Sequence, residues 1–241
     1  MSSLRIAYPR GVMPGKWARV WAARHPEAPL ELTLGRAVTD ASAQTAPLRA
    51  GAADGVFVRL PLGDGVGDEG VRLDPEVLHL VPLYEEQPFA LAAEGHLIEA
   101  ADEVRLAELD GEARHPFDDD VETWVQVVAA GAGVLVVPQS VARLYARRDV
   151  VARPVLDAPG WRVGFAWLRE TPAEVRELVD DFVGVLRGRT AGSSRGAAGP
   201  TEAAEKGAAA KAGGGRRGAT GAEPPRGKSP RGARSRRRPT R

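Results

Sequence analysis

The stretch "WVQVVAAGAGVLVVPQSVARLY", Trp124–Tyr145, decides how this 241-residue chain is read. Its first half belongs to a helix, "VETWVQVVAAG", that Gly131 closes, because the residue just past a helix often takes the left-handed conformation that glycine adopts without steric cost. "VLVV" is short, β-branched and wholly apolar, which predicts a buried strand. Pro138 then opens "PQSVARLY" as a first-turn proline, where its missing N–H is no loss. Helix, strand and helix therefore follow one another with Gly131 and Gly133 at the tight turn.

The same switching of period runs outward from this stretch. "LRIAY" (Leu4–Tyr8) reads as a strand, and "VMPGKWARVWAARHP" sets Trp17, Val20, Trp21 and, weakly, Arg24 near one helical face until "HPEAP" stops it. "LELTL" (Leu30–Leu34) alternates as a second strand. "DASAQTAPLRAG" predicts a short helix ended by Gly51, and "GVFVRLP" a third strand. Strands alternating with helices in the first sixty residues predict a mainly parallel sheet covered by helices. Further on, "LHLVPLYEEQPFALAA" (Leu78–Ala93) reads as two strand segments bent at Pro82, and "ADEVRLAELDG" as a short helix terminated by Gly111. After the opening stretch, "DVVARPV" and "WRVGFAWLRE" give two strands. "TPAEVRELVDDFVGVLRG" gives a closing amphipathic helix capped by Thr171.

Composition divides the chain in two. The net charge of +1 hides a body, residues 1–188, with 19 basic against 29 acidic residues, and a tail, 189–241, with 14 against 3. The tail has no Leu, Ile, Val, Phe, Tyr or Trp, so it cannot bury enough apolar surface to offset its chain entropy, and disorder is expected over 191–241. Cysteine is absent, which excludes disulfides, thiolate metal sites and a thiol nucleophile. No run approaches the roughly 20 apolar residues of a bilayer span, and the N-terminus has no signal-peptide pattern, so a cytoplasmic protein without membrane partners is expected.

In order, "LRIAYPRG…W..VWAARHPEAPLELTL", "APLRAGAADGVFVRLP", "LHLVPLYEEQPFALAAEGHLI", "VVAAGAGVLVVPQSVARL" and "VGFAWLRE" resemble the effector-binding, or substrate-binding, domain of LysR-type transcriptional regulators. The resemblance spans about residues 4 to 188. It implies the type 2 periplasmic-binding-protein fold, an α/β protein of two lobes joined by crossing strands with a small ligand in the cleft. The expected division is lobe I over 1–83, an abbreviated lobe II over 84–158, a return to lobe I over 159–190, and the basic tail over 191–241. The family's winged helix-turn-helix has no counterpart in these residues, so a sensor or co-regulator without its own operator-reading helix is expected. The family's longer segment before the "VAAG" helix is here reduced to "ARHPFDDDVETW".

Ligands of doubly wound lobes lie at the carboxyl ends of strands. That rule selects Arg10, Gly11 and Val12 after the first strand and Arg59 and Pro61 at the end of the third, with Gly131 and Gly133 added from the family's glycine turn. Arg59 stands inside an apolar run, where a guanidinium demands a partner: an anionic ligand group, or an acidic neighbour such as Asp54 or Glu85. His115 with Asp118, Asp119 and Asp120 has hard-ligand chemistry, yet an acidic loop is ordinarily just solvated, so no metal is expected. Glu85 and Glu86, adjacent on a strand, point to opposite faces and make no acid/base pair. Trp17 and Trp21 read as core or subunit interface. Ser140 lacks a nucleophile elbow, and "GAG" lacks a dinucleotide fingerprint.

No catalytic set is visible and no cofactor is expected. The function the resemblance implies is binding: a small metabolite, anionic if Arg59 faces it. Two alternatives stay open. One is a dimerisation module that pairs with itself or with full-length LysR-type regulators around a vestigial pocket, and the other is a solute-binding protein. In the tail, Arg216, Arg217, Arg226, Lys228, Arg231, Arg234, Arg236, Arg237 and Arg238 form a basic run suited to sequence-independent contact with nucleic-acid phosphates, or to no more than solubility.

Overall fold

A computed structural model describes residues 3–62 and 73–188. The tail expectations, its disorder and its nine basic contact residues, lie outside the described residues. Along the chain run β1 (Leu4–Tyr8), α1 (Gly15–Arg24), β2 (Leu30–Leu34), α2 (Ala41–Arg49), β3 (Gly55–Pro61), β4 (Leu78–Glu86), β5 (Pro88–Ala93), β6 (Arg114–His115), α3 (Val121–Ala129), β7 (Val134–Pro138), α4 (Gln139–Leu144), β8 (Val150–Pro154), β9 (Trp161–Leu168) and α5 (Ala173–Leu186). They build two sheets, one in the order β2-β1-β3-β9-β4 and one in the order β6-β7-β5-β8.

The sheets are mixed, where alternation along the sequence predicts mainly parallel ones. β1 runs parallel to β2 and β3, and β6 to β7, but β9 is antiparallel to both β3 and β4, and β5 to both β7 and β8. The reason is connectivity. β4 ends in the first sheet and β9 re-enters it after the chain has built the second, so a strand leaving and a strand returning lie side by side in opposite directions. The change of sheet falls at Gln87, between β4 and β5; at Pro82 there is only a register shift, between Pro82 and Tyr84 within β4.

Other local departures have equally local causes. "ADEVRLAELDG" holds one short 3-10 turn at Leu106–Leu109 in place of a helix; a neighbouring turn spans Leu97–Ala100. Glu108 closes back on the Arg105 amide there at 2.6 Å, which satisfies the turn without propagating it. Thr171 does not cap α5, because its hydroxyl donates to the Leu168 carbonyl. Pro138 ends β7 as the residue before α4. Asp40, by contrast, caps α2 by accepting from the Ser42 amide at 2.8 Å, and Gly51 leaves that helix with a positive φ.

The first sheet carries an aromatic core. Trp17 and Trp21, four residues apart on α1, sit on one buried stripe. Trp17 stacks on Phe57 at 5.4 Å, and Phe57 meets Phe165 edge-on at 5.4 Å. Phe182 of α5 closes the cluster against Trp21 and Phe165, and the Trp21 indole N–H donates to the Ala28 carbonyl. Trp17 and Trp21 are thus core. The second sheet buries smaller side chains: Val121, Val125 and Val128 of α3 against Leu91, Leu135 and Val137.

Candidate functional site

The carboxyl ends of β1 and β2 lie together because the two strands are parallel and in register from Leu4–Leu30 to Tyr8–Leu34. Their following loops face the first turn of α3 in the second lobe. Three contacts cross that gap. The Arg10 guanidinium donates to the Tyr145 hydroxyl at 2.8 Å and to a Glu122 carboxylate oxygen at 3.2 Å. The Val38 amide donates to Asp119 at 2.9 Å. The Tyr145 bond and then Glu122 hold the Arg10 pKa above its ordinary value, so Arg10 is a permanent cation in the cleft.

Two compartments open here. One, of about 240 Å³, is mainly apolar and is lined by Tyr8, Pro9, Ala37, Pro47 and Phe57, with the buried Gln44 at its side. The other, of about 610 Å³, is polar and is bounded by Arg10, Asp120, Glu122 and Gln126. Arg36 and Asp119 border both. An apolar recess with a few convergent polar groups is the usual form of a small-ligand site.

Arg59 lies deeper, fully buried at the hinge between the lobes. Its Nε donates to Glu86 at 2.7 Å and one terminal nitrogen reaches the Ser140 hydroxyl at 3.1 Å. Gln44 brackets its backbone, accepting from the Arg59 amide at 2.7 Å and donating to its carbonyl at 3.1 Å. The acidic partner is Glu86, since Asp54 pairs with Arg5 and Glu85 with Arg162. The other terminal nitrogen, Nη1, is buried without a hydrogen-bond partner. Beside this pair, burial first and the Glu86 charge second push the Tyr84 hydroxyl up to about 12.

The remaining expected positions scatter. Gly11 adopts a φ of 87° where the β1 loop meets α4, and a Cβ there would stand 2.7 Å from the Ser140 hydroxyl, so glycine permits the close approach of the lobes. The Val12 side chain is buried in the aromatic core, not in the cleft. Pro61 pairs with Trp161 at the strand crossing. Gly131 and Gly133 follow α3 at the end opposite to the turn that borders the cleft, and Gly133 packs against the Ala113 carbonyl. His115 stacks on Trp124 at 4.9 Å and bonds the Ala132 carbonyl, while Asp118 accepts from the Trp124 indole N–H at 2.9 Å. Among the described residues, no group of three or more His, Asp or Glu side chains is placed to hold a metal ion.

Arg36, Asp119, Glu122 and Tyr145 were not legible as cleft residues. Arg36 follows an ordinary strand, and Asp119 reads as one of three solvated aspartates; only the packing of α3 against the β1 and β2 loops brings them together.

A two-lobed α/β binding domain with a cleft at the strand ends is what fold and site define, the type 2 periplasmic-binding-protein arrangement. Residues 119–190 match the family model described as "LysR substrate binding domain". Among solved structures, the effector binding domain of a BenM variant is 17% identical, with a TM-score of 0.60 over 78% of this chain and 94% of that one. A mutant OxyR regulatory domain from Pseudomonas aeruginosa is 18% identical, with a TM-score of 0.56 over 78% and 97%. The oxidized form of OxyR is 21% identical, with a TM-score of 0.57 over 78% and 96%. At these identities the likeness is one of fold. No curated protein matches the chain in sequence.

Proposed function

We propose that this protein is a small-molecule sensor of transcriptional regulation, binding its effector between the lobes and performing no chemistry on it. The observation that carries the reading is the pair of compartments at the β1 and β2 ends, bordered from both lobes by Arg36 and Asp119. A ligand seated there touches both lobes at once and shifts their relative arrangement by its differential affinity for the closed form. Arg59, neutralised by Glu86 and tied to Ser140, acts as a buried tie at the hinge beneath the compartments. The fold supports the reading: the BenM effector binding domain is known with its effector benzoate, and full-length CbnR with its target DNA. The work of such a sensor is cytoplasmic. Its basic tail, with a net charge of +11, adds contact with nucleic acid by charge alone, tested by comparing the whole chain with one ending at Arg189 on unrelated duplexes at two salt concentrations.

The test of the sensor is a thermal-shift screen of small carboxylic acids, amines and amino acids against the native protein and Arg36→Ala. At least one compound is expected to raise the melting temperature of the native protein and to lose that effect in the variant. A flat screen on a protein that forms a clear dimer would favour a pairing module instead.

A further inference from the structure

We infer that the cleft recognises a zwitterion, an α-amino acid with an uncharged apolar side chain, and not a simple anion; this rests on the sensor reading above. The charges in the cleft decide the matter. Arg10 is already engaged by Tyr145 and Glu122. Arg36, exposed at the border of the two compartments, has no hydrogen-bond or ion-pair partner among the described residues. Asp119 accepts only the Val38 amide among the described residues, through one of its two carboxylate oxygens, and the Asp120 carboxylate next to it has no partner there.

An unpaired cation and unpaired carboxylates thus border one cleft without neutralising each other. A lone carboxylate ligand would satisfy Arg36 but meet Asp119 and Asp120 at close range, and like charges so placed repel. A lone amine would have the converse fault. A ligand carrying both charged groups on one carbon satisfies both: its carboxylate takes the planar fork of Arg36, and its ammonium takes the free oxygen of Asp119. The third substituent of such a ligand then points into the recess of Tyr8, Pro9, Ala37, Pro47 and Phe57. That recess, of about 240 Å³, offers no charged group beyond the two at its mouth. A branched aliphatic side chain matches this lining, and a charged one would lose its hydration there without compensation.

The test is isothermal titration of the whole chain with L-leucine, with isocaproate, which lacks the amine, and with isoamylamine, which lacks the carboxylate. L-leucine is expected to bind about tenfold or more tightly than either, the loss that follows from deleting one charge-assisted contact. Asp119→Asn keeps an acceptor for the Val38 amide and should weaken leucine about tenfold while leaving isocaproate unchanged or improved. Arg36→Gln should weaken leucine and isocaproate alike. Both residues are exposed, so the unliganded melting temperature should not move.

Isocaproate binding as tightly as leucine would overturn the inference and leave the sensor reading standing as an anion sensor. Failure of all three compounds would also overturn it, while the sensor reading itself falls only if the wider metabolite screen is flat.

Discussion

The two lobes bury different materials. The lobe built on β2-β1-β3-β9-β4 has an aromatic centre in which Trp17, Trp21, Phe57, Phe165 and Phe182 interlock, whereas the lobe built on β6-β7-β5-β8 is held by valines and leucines, with Phe89, Phe117 and Trp124 only partly buried. Aromatic side chains bury roughly 150–250 Å² each, so the first lobe has much the larger share of the stabilising surface. The second lobe is a light cover whose inner helix, α3, brings Asp119 and Glu122 to the cleft. The difference teaches where the packing is concentrated: the heavier lobe presents strand ends in fixed register, and under the proposed sensor function the lighter lobe would be the one a ligand moves.

The sharpest way to break this comparison is to cut each core once. Phe165→Ala should cost about 3–5 kcal/mol of global stability, measured by urea unfolding. Val128→Ala in α3 should cost about 2 kcal/mol, from about 0.8 kcal/mol per lost methylene equivalent with a modest cavity term. Equal costs would remove the asymmetry.

The hinge between the lobes gives a test of similar size to the first. Arg59→Met strands Glu86 as a buried, unpaired carboxylate and should cost about 3–5 kcal/mol, whereas Arg59→Met with Glu86→Leu should recover most of that loss. Strong additivity of the two single changes would show that the pair is not coupled.

Much of the fold was legible. Every strand from "LRIAY" to "WRVGFAWLRE" except the two-residue β6, Arg114–His115, followed from a run of apolar or alternating residues, and the two-lobe expectation holds. Direction was not legible, because whether β9 runs parallel or antiparallel depends on where the chain has been, not on its side chains. At the site, Arg59 stood out as a charge inside an apolar run, but its partner Glu86 did not. Glu85 and Glu86 are identical in sequence context, and only the pleat of β4 turns one outward to Arg162 and the other inward. Arg36 and Asp119 carried no signal, since exposed charges in loops are the commonest of residues.

Smaller effects separate two residues of β4, the edge strand of the first sheet. Burial first, and then Arg169 and Arg176, hold the His79 pKa below its ordinary value. A depressed histidine favours the neutral form in the folded state, so its contribution is present above about pH 6.5 and fades as the pH falls below that. Chemical unfolding from pH 7 down to pH 5 should show a loss that His79→Phe reduces. Tyr84 behaves oppositely in pH: its raised hydroxyl pKa favours the protonated form, so stability should decline only as the pH rises above about 10. A tyrosinate absorbance titration of the native protein and Tyr84→Phe would detect the late-titrating group.

The central claim is that a ligand sits between the β1 and β2 loops and the first turn of α3. Hydrogen exchange of the whole chain, with and without whichever screened metabolite raises its melting temperature most, tests it directly. The account predicts slowed exchange in two segments far apart in sequence, residues 34–40 and 118–126, with no change in the turns at 104–112. Protection confined to one lobe, or found only away from both segments, would contradict it.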